Sequence, residues 1–347
     1  MDAEIKYSVI IISYNIEKYL EESILSVIKA GGDRCEIIVM DDGSGDHSFD
    51  IACNLEKRYK NLRAFQQNNQ GPLMARYHGA LKAQGKWITF LDGDDFLDKE
   101  FFRCVDDQIQ KITTKDMIAV NMRHYYEDTK KYEGPIYSFE EKYEPVNLLK
   151  LPWYVPGKVF SREIMDKGHS FYKPKHFYED IGHLPQLVIN IENVYWIDKP
   201  LYIYRRRDGS TSTDDSPKKL YDMIASLEAA RRYLIRHPLF DAAFAAIFEA
   251  YVIKNTLLFN FSKILDQDTK SKYAMKMFRY IELRYPSWYQ NPYIKTMSLR
   301  DRSYLWLIKR RYWNCLHHLI RVKKLIRNKM KSIGMQKLVL LYQKYSK

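Results

Sequence analysis

The chain has 347 residues, 46% of them hydrophobic, enough for a sizeable core and for about two domains. Its formal charge of +13 sits at one end: residues 302–347 hold 13 Lys or Arg and no acid, whereas the first 301 balance at 43 basic and 43 acidic side chains. Cys35, Cys53, Cys104 and Cys315 lack Cys-x-x-Cys spacing, so neither a zinc site nor a disulfide framework is indicated, and a reducing cytoplasm is the natural compartment. No signal-peptide pattern opens the chain, and no run approaches the roughly 20 apolar residues of a membrane span.

Ser8-Val9-Ile10-Ile11-Ile12-Ser13 reads as a buried strand. Tyr14-Asn15 follow, and then Tyr19, Leu20, Ile24 and Ile28 fall on one helical face. Asn15 is the predicted cap, Glu17 occupies the predicted first turn, and Gly31-Gly32 end the helix. Glu36–Met40 is a third apolar segment that terminates in Asp41-Asp42-Gly43-Ser44. Arg63-Ala64-Phe65 is a weaker strand. Gly71-Pro72 opens a helix through Ala75, Arg76, Gly79 and Leu81, which Gly85 closes. Trp87-Ile88-Thr89-Phe90-Leu91 is a further strand and runs straight into Asp92-Gly93-Asp94-Asp95.

That last ending is informative. Clustered anions repel one another and are costly to desolvate, so a buried strand rarely stops in three of them. A solvated turn is the bland explanation. A divalent cation and a phosphorylated ligand that organise the acids are the sharper one. The alternation of strands and helices over about 95 residues implies a doubly wound, mainly parallel sheet, in which ligands bind beyond the carboxyl ends of the strands. Tyr14, Asp42 and the Asp92–Asp95 group all fall at such ends, and their convergence favours a site.

The residue types suggest a nucleotide. Asp42 can accept a hydrogen bond from a base imino N–H, which uracil presents, and Tyr14 can stack on a base. Arg76 is placed to meet phosphate oxygens, and the acids around Gly93 suit Mg2+ or Mn2+. A P-loop is missing, and no Gly-x-Gly-x-x-Gly turn follows the first strand, which argues against dinucleotide binding.

Ser8–Asn15, Asp41-Asp42-Gly43-Ser44, the Gly71–Gly79 segment with Arg76, and Leu91–Asp95 occur in the order and spacing of family 2 glycosyltransferases, which the chain resembles across its first 100 residues. The resemblance implies a GT-A fold and a nucleotide-sugar donor. It places Ser13, Tyr14, Asp42, Arg76, Asp92 and Gly93 on the donor and Asp94 on Mn2+ or Mg2+, with Asp95 either supporting the metal site or capping the following segment. Ile12, Leu73, Met74 and Tyr77 depart from the family's usual residues and touch the donor pocket, so the transferred sugar stays open.

His176-Phe177-Tyr178-Glu179-Asp180 precedes a helical run through Ile181, Leu184, Leu187, Val188 and Ile191. Acids opening a helix are favoured by its dipole alone. In the resembling family such a pair is catalytic: Glu179 lies beside Asp180, which would deprotonate an acceptor hydroxyl and invert the anomeric centre. Leu201–Tyr204 reads as a strand, followed by Arg205-Arg206-Arg207-Asp208-Gly209-Ser210. By the same resemblance Arg205 or Arg207, with Ser210, would close over the diphosphate. Trp153, Lys158 and His183 are candidates for the acceptor side.

From Asp214 onward the chain reads as helical, with Pro217 as a start and Pro238, Pro286 and Pro292 as breaks. Leu305, Ile308, Tyr312, Cys315, Leu319, Val322, Ile326 and Met330 predict one face of a single long helix. The basic segment 302–347 could pack on protein, form a homo-oligomer or dock on an anionic membrane. Nucleic acid is a weaker partner, since no binding module is recognisable. The sequence thus predicts an α/β GT-A domain over 1–215 and a basic helical domain over 216–347. The expected function is inverting, metal-dependent transfer from a nucleotide sugar, UDP-linked, to a hydroxyl of a growing capsule, lipopolysaccharide or teichoic-acid glycan, on a free or lipid-linked acceptor. The expected place is the cytoplasm, peripheral to the inner face of the membrane. The competing readings are a catalytically silent glycan-binding or scaffolding module on the same fold, and a nucleotidyltransferase that would release pyrophosphate.

Overall fold

A computed structural model describes residues 6–136, 142–143, 154–167, 178–207 and 216–332. The chain divides into two compact units: Met1–Thr211 with Glu228–Leu239, and Ser212–Leu227 with Phe240–Lys347.

Among the described residues the first unit holds ten strands: β1 Tyr7–Ser13, β2 Cys35–Asp41, β3 Leu62–Gln66, β4 Trp87–Asp92, β5 Phe96–Leu97, β6 Asp116–Tyr126, β7 Lys131–Glu133, β8 Lys142–Tyr143, β9 Lys158–Ser161 and β10 Asn193–Arg206. Its helices are α1 Leu20–Gly31, α2 Ser48–Glu56, α3 Pro72–Lys82, α4 Phe101–Ile109, α5 Arg162–Lys167 and α6 Glu179–Val188. The strands form one sheet in the order β3-β2-β1-β4-β9-β6-β10-β5, with β7 on β6 and β8 on β10.

The first four strands of that order are parallel, because α1, α2 and α3 carry the chain back between them. Beyond them the sheet is mixed. β9 runs antiparallel to both β4 and β6, β10 is parallel to β6, and β5 is antiparallel to β10. The expectation of a mainly parallel sheet therefore holds for the half read from the clear helix–strand alternation and weakens at β9, which runs antiparallel to both its neighbours.

Val9, Ile11, Ile37, Val39 and Leu91 form one face of the core with Leu20, Ile24 and Val27 of α1 and Phe101 and Phe102 of α4. On the other face Gly79 lets α3 lie against β1: a Cβ there would stand 2.4 Å from Ile10 Cγ2.

Two local expectations are corrected. Asn15 does not cap α1, which starts at Leu20; Asn15 takes a left-handed conformation (φ 52°), and its Oδ1 accepts the Gly45 N–H at 2.8 Å. Glu17 likewise lies ahead of the helix, where it accepts the His47 N–H. Asparagine tolerates the left-handed region, and here that ties the loop after β1 to the loop after β2.

Among the described residues the second unit is helical. Pro217 opens a helix to Leu234, of which the part up to Leu227 belongs to this unit, and Pro292 opens a short one to Lys295. The predicted single helix over 305–330 is instead two, Leu299–Lys309 and Trp313–Ser332, broken where Arg311 adopts φ 60°. Apolar periodicity runs through the break because the turn preserves the spacing. The helix Ala242–Gln267 is long and apolar enough to cross a membrane, contrary to the expectation that no stretch comes near this. Half of its apolar window is buried within the fold, and Asn260 in it donates to the Leu220 carbonyl, as a core helix would.

Candidate active site

The strand register builds the floor of the site. Ser13 on β1 lies beside Asp41 on β2, and Ile12 beside Asp92 on β4, so three strand ends reach one level. The chain then turns at Gly93, whose N–H donates to the Ile12 carbonyl at 2.9 Å. A Cβ on Gly93 would stand 2.5 Å from Ile16 Cδ1 and 2.7 Å from the Ile12 oxygen. Close packing by itself requires a glycine here, at a position the sequence assigned to the nucleotide sugar. Gly93→Ala should lower stability by about 1–3 kcal/mol through overpacking, seen as an earlier thermal transition; an unchanged transition would show that the turn yields freely.

Arg76 is the centre of the cluster. It was expected to face phosphate, but it is 3% exposed and spends its guanidinium on carboxylates. Nη2 donates to Asp92 Oδ1 at 2.9 Å, and Nη1 donates to Asp180 Oδ1 at 2.7 Å and to Glu179 Oε1 at 3.3 Å. Burial opposes its charge, but Asp180, Asp92 and Glu179 outweigh that and keep it protonated. One side chain of α3 thus joins the end of β4 to the start of α6.

The acid pair opens α6, where Tyr178 caps the helix in a left-handed conformation and both acids lie in the first turn. Burial and the neighbouring Asp180 push Glu179 up to about 7, against the pull of Arg76. Asp180 is also raised by burial, while Arg76 and the Val155 N–H pull it back. Lys158 of β9 is buried and its amine donates to the Tyr154 carbonyl; burial drives it down to about 7. Lys158 and His183, the candidates for the acceptor side, are both buried. His176, Phe177 and Trp153 lie outside the described residues.

The other acids have distinct partners. Asp94 is held by Arg207, Nε at 2.9 Å and Nη2 at 2.8 Å, yet burial and Asp92 still raise its carboxyl above the usual range. Asp95 is buried, accepting the Tyr202 hydroxyl at 2.6 Å and the Arg205 N–H at 2.8 Å. Arg205, expected over a diphosphate, is held by protein groups. Its guanidinium donates to the Asp94 carbonyl, Glu127 and Glu22, and lies against the rings of Tyr19, Phe96 and Tyr125. Arg207 is thus the arginine beside Asp94, and Ser210 lies outside the described residues.

On the base side, Tyr14 is 50% exposed at the end of β1. Ser13 donates to Asp41 at 3.1 Å. Asp42 already accepts from Gln67 Nε2, the Gln70 N–H and the Gly71 N–H, at 2.7, 2.8 and 2.8 Å. An ionised carboxylate has about four lone-pair sites, which leaves one for a base.

Residues 8–169 match the model of glycosyl transferase family 2. These residues are a family 2 glycosyltransferase domain. The chain is 27% identical over 213 residues to EpsJ of Bacillus subtilis, named an uncharacterized glycosyltransferase, covering 58% of this chain and 62% of that protein. It is also 27% identical over 220 residues to the minor teichoic acid biosynthesis protein GgaA of the same species, covering 60% of this chain and 49% of GgaA. The chain therefore spans less than two thirds of either relative's length. Among solved structures, residues 1–349 of S. aureus TarS, crystallised with UDP-GlcNAc, superpose with a TM-score of 0.70 at 19% identity, covering 92% of each chain. At that identity the likeness is one of fold, and the fold is GT-A with a helical region after it.

Within the glycosyltransferase domain, several residues escaped the sequence reading. Tyr202 joins β10 to Asp95, Gln67 joins the loop after β3 to Asp42, and Glu22 with Glu127 neutralises Arg205. Each partner is remote in sequence. The single available hint was that a tyrosine or arginine placed in a buried strand must find a polar partner.

Proposed function

We propose that this domain transfers a sugar from a nucleotide donor, UDP-linked, to a hydroxyl of a growing cell-surface glycan, with inversion at the anomeric carbon. The observation that carries the reading is the cluster of Asp92, Glu179 and Asp180 gathered on Arg76 at the carboxyl edge of the parallel strands, with Asp94 on the same turn as Asp92. Asp180 is the proposed base, removing the acceptor proton as the oxygen attacks, with Glu179 beside it; burial makes both better proton acceptors than free carboxylates. Tyr14 is placed to stack on the base and the remaining lone pair of Asp42 to accept its imino N–H. Arg207 is the proposed cation for the diphosphate. The crystallisation of TarS with UDP-GlcNAc supports a UDP-linked donor, and the naming of GgaA for teichoic acid synthesis supports a surface glycan, free or lipid-linked. The proposed place is the cytoplasmic side of the membrane.

The residues fit a divalent cation. Asp92, Asp94, Asp95, Glu179 and Asp180 outnumber Arg76 and Arg207, because Arg205 is already matched by Glu22 and Glu127. No group of three His, Cys, Asp or Glu among the described residues could cage a metal alone. Asp94 would therefore hold Mn2+ or Mg2+ together with ligand oxygens, and the cation would supply Lewis-acid stabilisation of the leaving diphosphate.

Calorimetry with UDP tests this. Wild-type protein should bind UDP in the presence of Mn2+, and Asp94→Ala or a chelator should weaken binding at least tenfold, about 1.4 kcal/mol. Equal affinity in all three conditions would remove the metal, and no affinity for UDP in any would remove the donor.

A further inference from the structure

The helix Trp313–Ser332 has two apolar faces, and only one is packed. Leu316 is fully buried, the Trp313 ring lies 5.3 Å from that of Phe261, and His317 Nδ1 is 2.8 Å from the Leu265 carbonyl oxygen. The second face starts at Tyr312 and continues through Leu319, Val322, Leu325 and Ile326, which are 54, 46, 53, 68 and 44% exposed. Trp306, 44% exposed, extends it by edge contact with Tyr312, ring centroids 5.8 Å apart. Of the stripe predicted from the sequence, Leu305 and Ile308 are buried, whereas Tyr312, Leu319, Val322 and Ile326 are exposed and do not hold this helix to its own unit. Contiguous exposed apolar surface of this kind marks an interaction site.

Charge chooses the partner. The same helix carries Arg321, Lys323, Lys324, Arg327, Lys329 and Lys331 and no acid. A second copy meeting this face would bring two such cationic helices together. Nucleic acid would satisfy the cations but has no use for four aliphatic side chains along one line. A lipid surface with anionic headgroups satisfies both, since aliphatic side chains enter the acyl boundary, cations stay among the phosphates, and Trp and Tyr prefer the level between.

We infer that Trp306, Tyr312, Leu319, Val322, Leu325 and Ile326 form a face that docks the chain on an anionic lipid bilayer. This deepens the membrane-side placement proposed above and does not depend on the donor chemistry.

The test uses full-length protein and sedimenting vesicles of phosphatidylcholine, with or without about one third phosphatidylglycerol. Wild-type protein should bind the anionic vesicles at low salt, ignore the neutral ones and be released by high salt. Val322→Ser with Leu325→Ser should weaken binding about tenfold or more, because two exposed aliphatic side chains no longer enter the bilayer. Arg321→Gln with Lys329→Gln should weaken it about 30-fold, since each charge near the surface contributes roughly one kilocalorie per mole. All four positions are substituted without emptying the core, and UDP calorimetry on each variant reports separately on the catalytic unit.

Three results would overturn the proposal. Wild-type protein could stay in the supernatant with anionic vesicles at low salt. The serine variant could bind as tightly as wild type, which leaves the stripe no role in lipid. Or wild type could sediment as a dimer in velocity ultracentrifugation and the serine variant as a monomer, which would assign the face to a second copy.

Discussion

Replacing Asp180 by asparagine is expected to reduce sugar transfer by roughly 10²–10⁴ while leaving UDP affinity nearly unchanged. The amide keeps the shape of the carboxylate but cannot take the acceptor proton. Arg76 retains Asp92 and Glu179 in this variant, so the cluster that positions the strand end persists. The pH dependence follows from the same pair. A base must be ionised to act, and burial raises both acids, Glu179 to about 7. Transfer should therefore fall as pH drops through that region and level off above it. The limb belongs to the coupled pair, not to one residue. Glu179→Gln removes the like charge next to Asp180, so its limb in kcat/KM should lie at lower pH than in wild type. A rate near wild type in the asparagine variant would leave these acids only a role at the helix start.

What was legible in the sequence was what periodicity and strand ends can encode. The apolar runs of β1, β2 and β4 gave their position, and their register brought Ser13, Asp41 and Asp92 to one level, as the parallel half of the sheet required. Glu179 and Asp180 were visible as acids at a helix start, and the structure sets them on the same arginine as Asp92. Polar partners were not legible, because they are set by contacts between separate elements, 25 residues apart for Gln67 and Asp42 and 78 and 183 for Arg205 with Glu127 and Glu22. Arg205 and Arg207 look equivalent in sequence. They alternate along β10 and beyond it, and only their surroundings separate a guanidinium enclosed by three aromatic rings from one beside Asp94. The break at Arg311 escaped for a different reason: a turn that preserves helical spacing leaves no mark on a hydrophobic pattern.

Arg76→Met should be the most damaging single change to stability in the domain. The thioether fills much of the space but leaves Asp92, Glu179 and Asp180 without their shared counter-charge. Removing one partner of a buried ion cluster costs about 3–5 kcal/mol. Asp92 is partly exposed, so the lower part of that range is expected. The sign of the pH effect identifies the cause. Glu179 and Asp180 are already raised above their unfolded values, and losing Arg76 raises them further. A carboxylate raised in the folded state binds more protons there than in the unfolded chain, so stability is greatest at low pH and declines as pH rises through the folded value. The gap between Arg76→Met and wild type should therefore narrow on acidification and widen towards pH 8, as read from urea unfolding at several pH values. Arg76→Lys should lie between the two, because one ammonium cannot span carboxylates on β4 and α6 as the planar guanidinium does. An arginine that served only to bind phosphate would behave otherwise. Its loss would weaken UDP binding, leave unfolding unchanged and show no such pH dependence. That outcome would return Arg76 to the role its place on α3 first suggested and leave the acids of α6 to be organised by the bound donor.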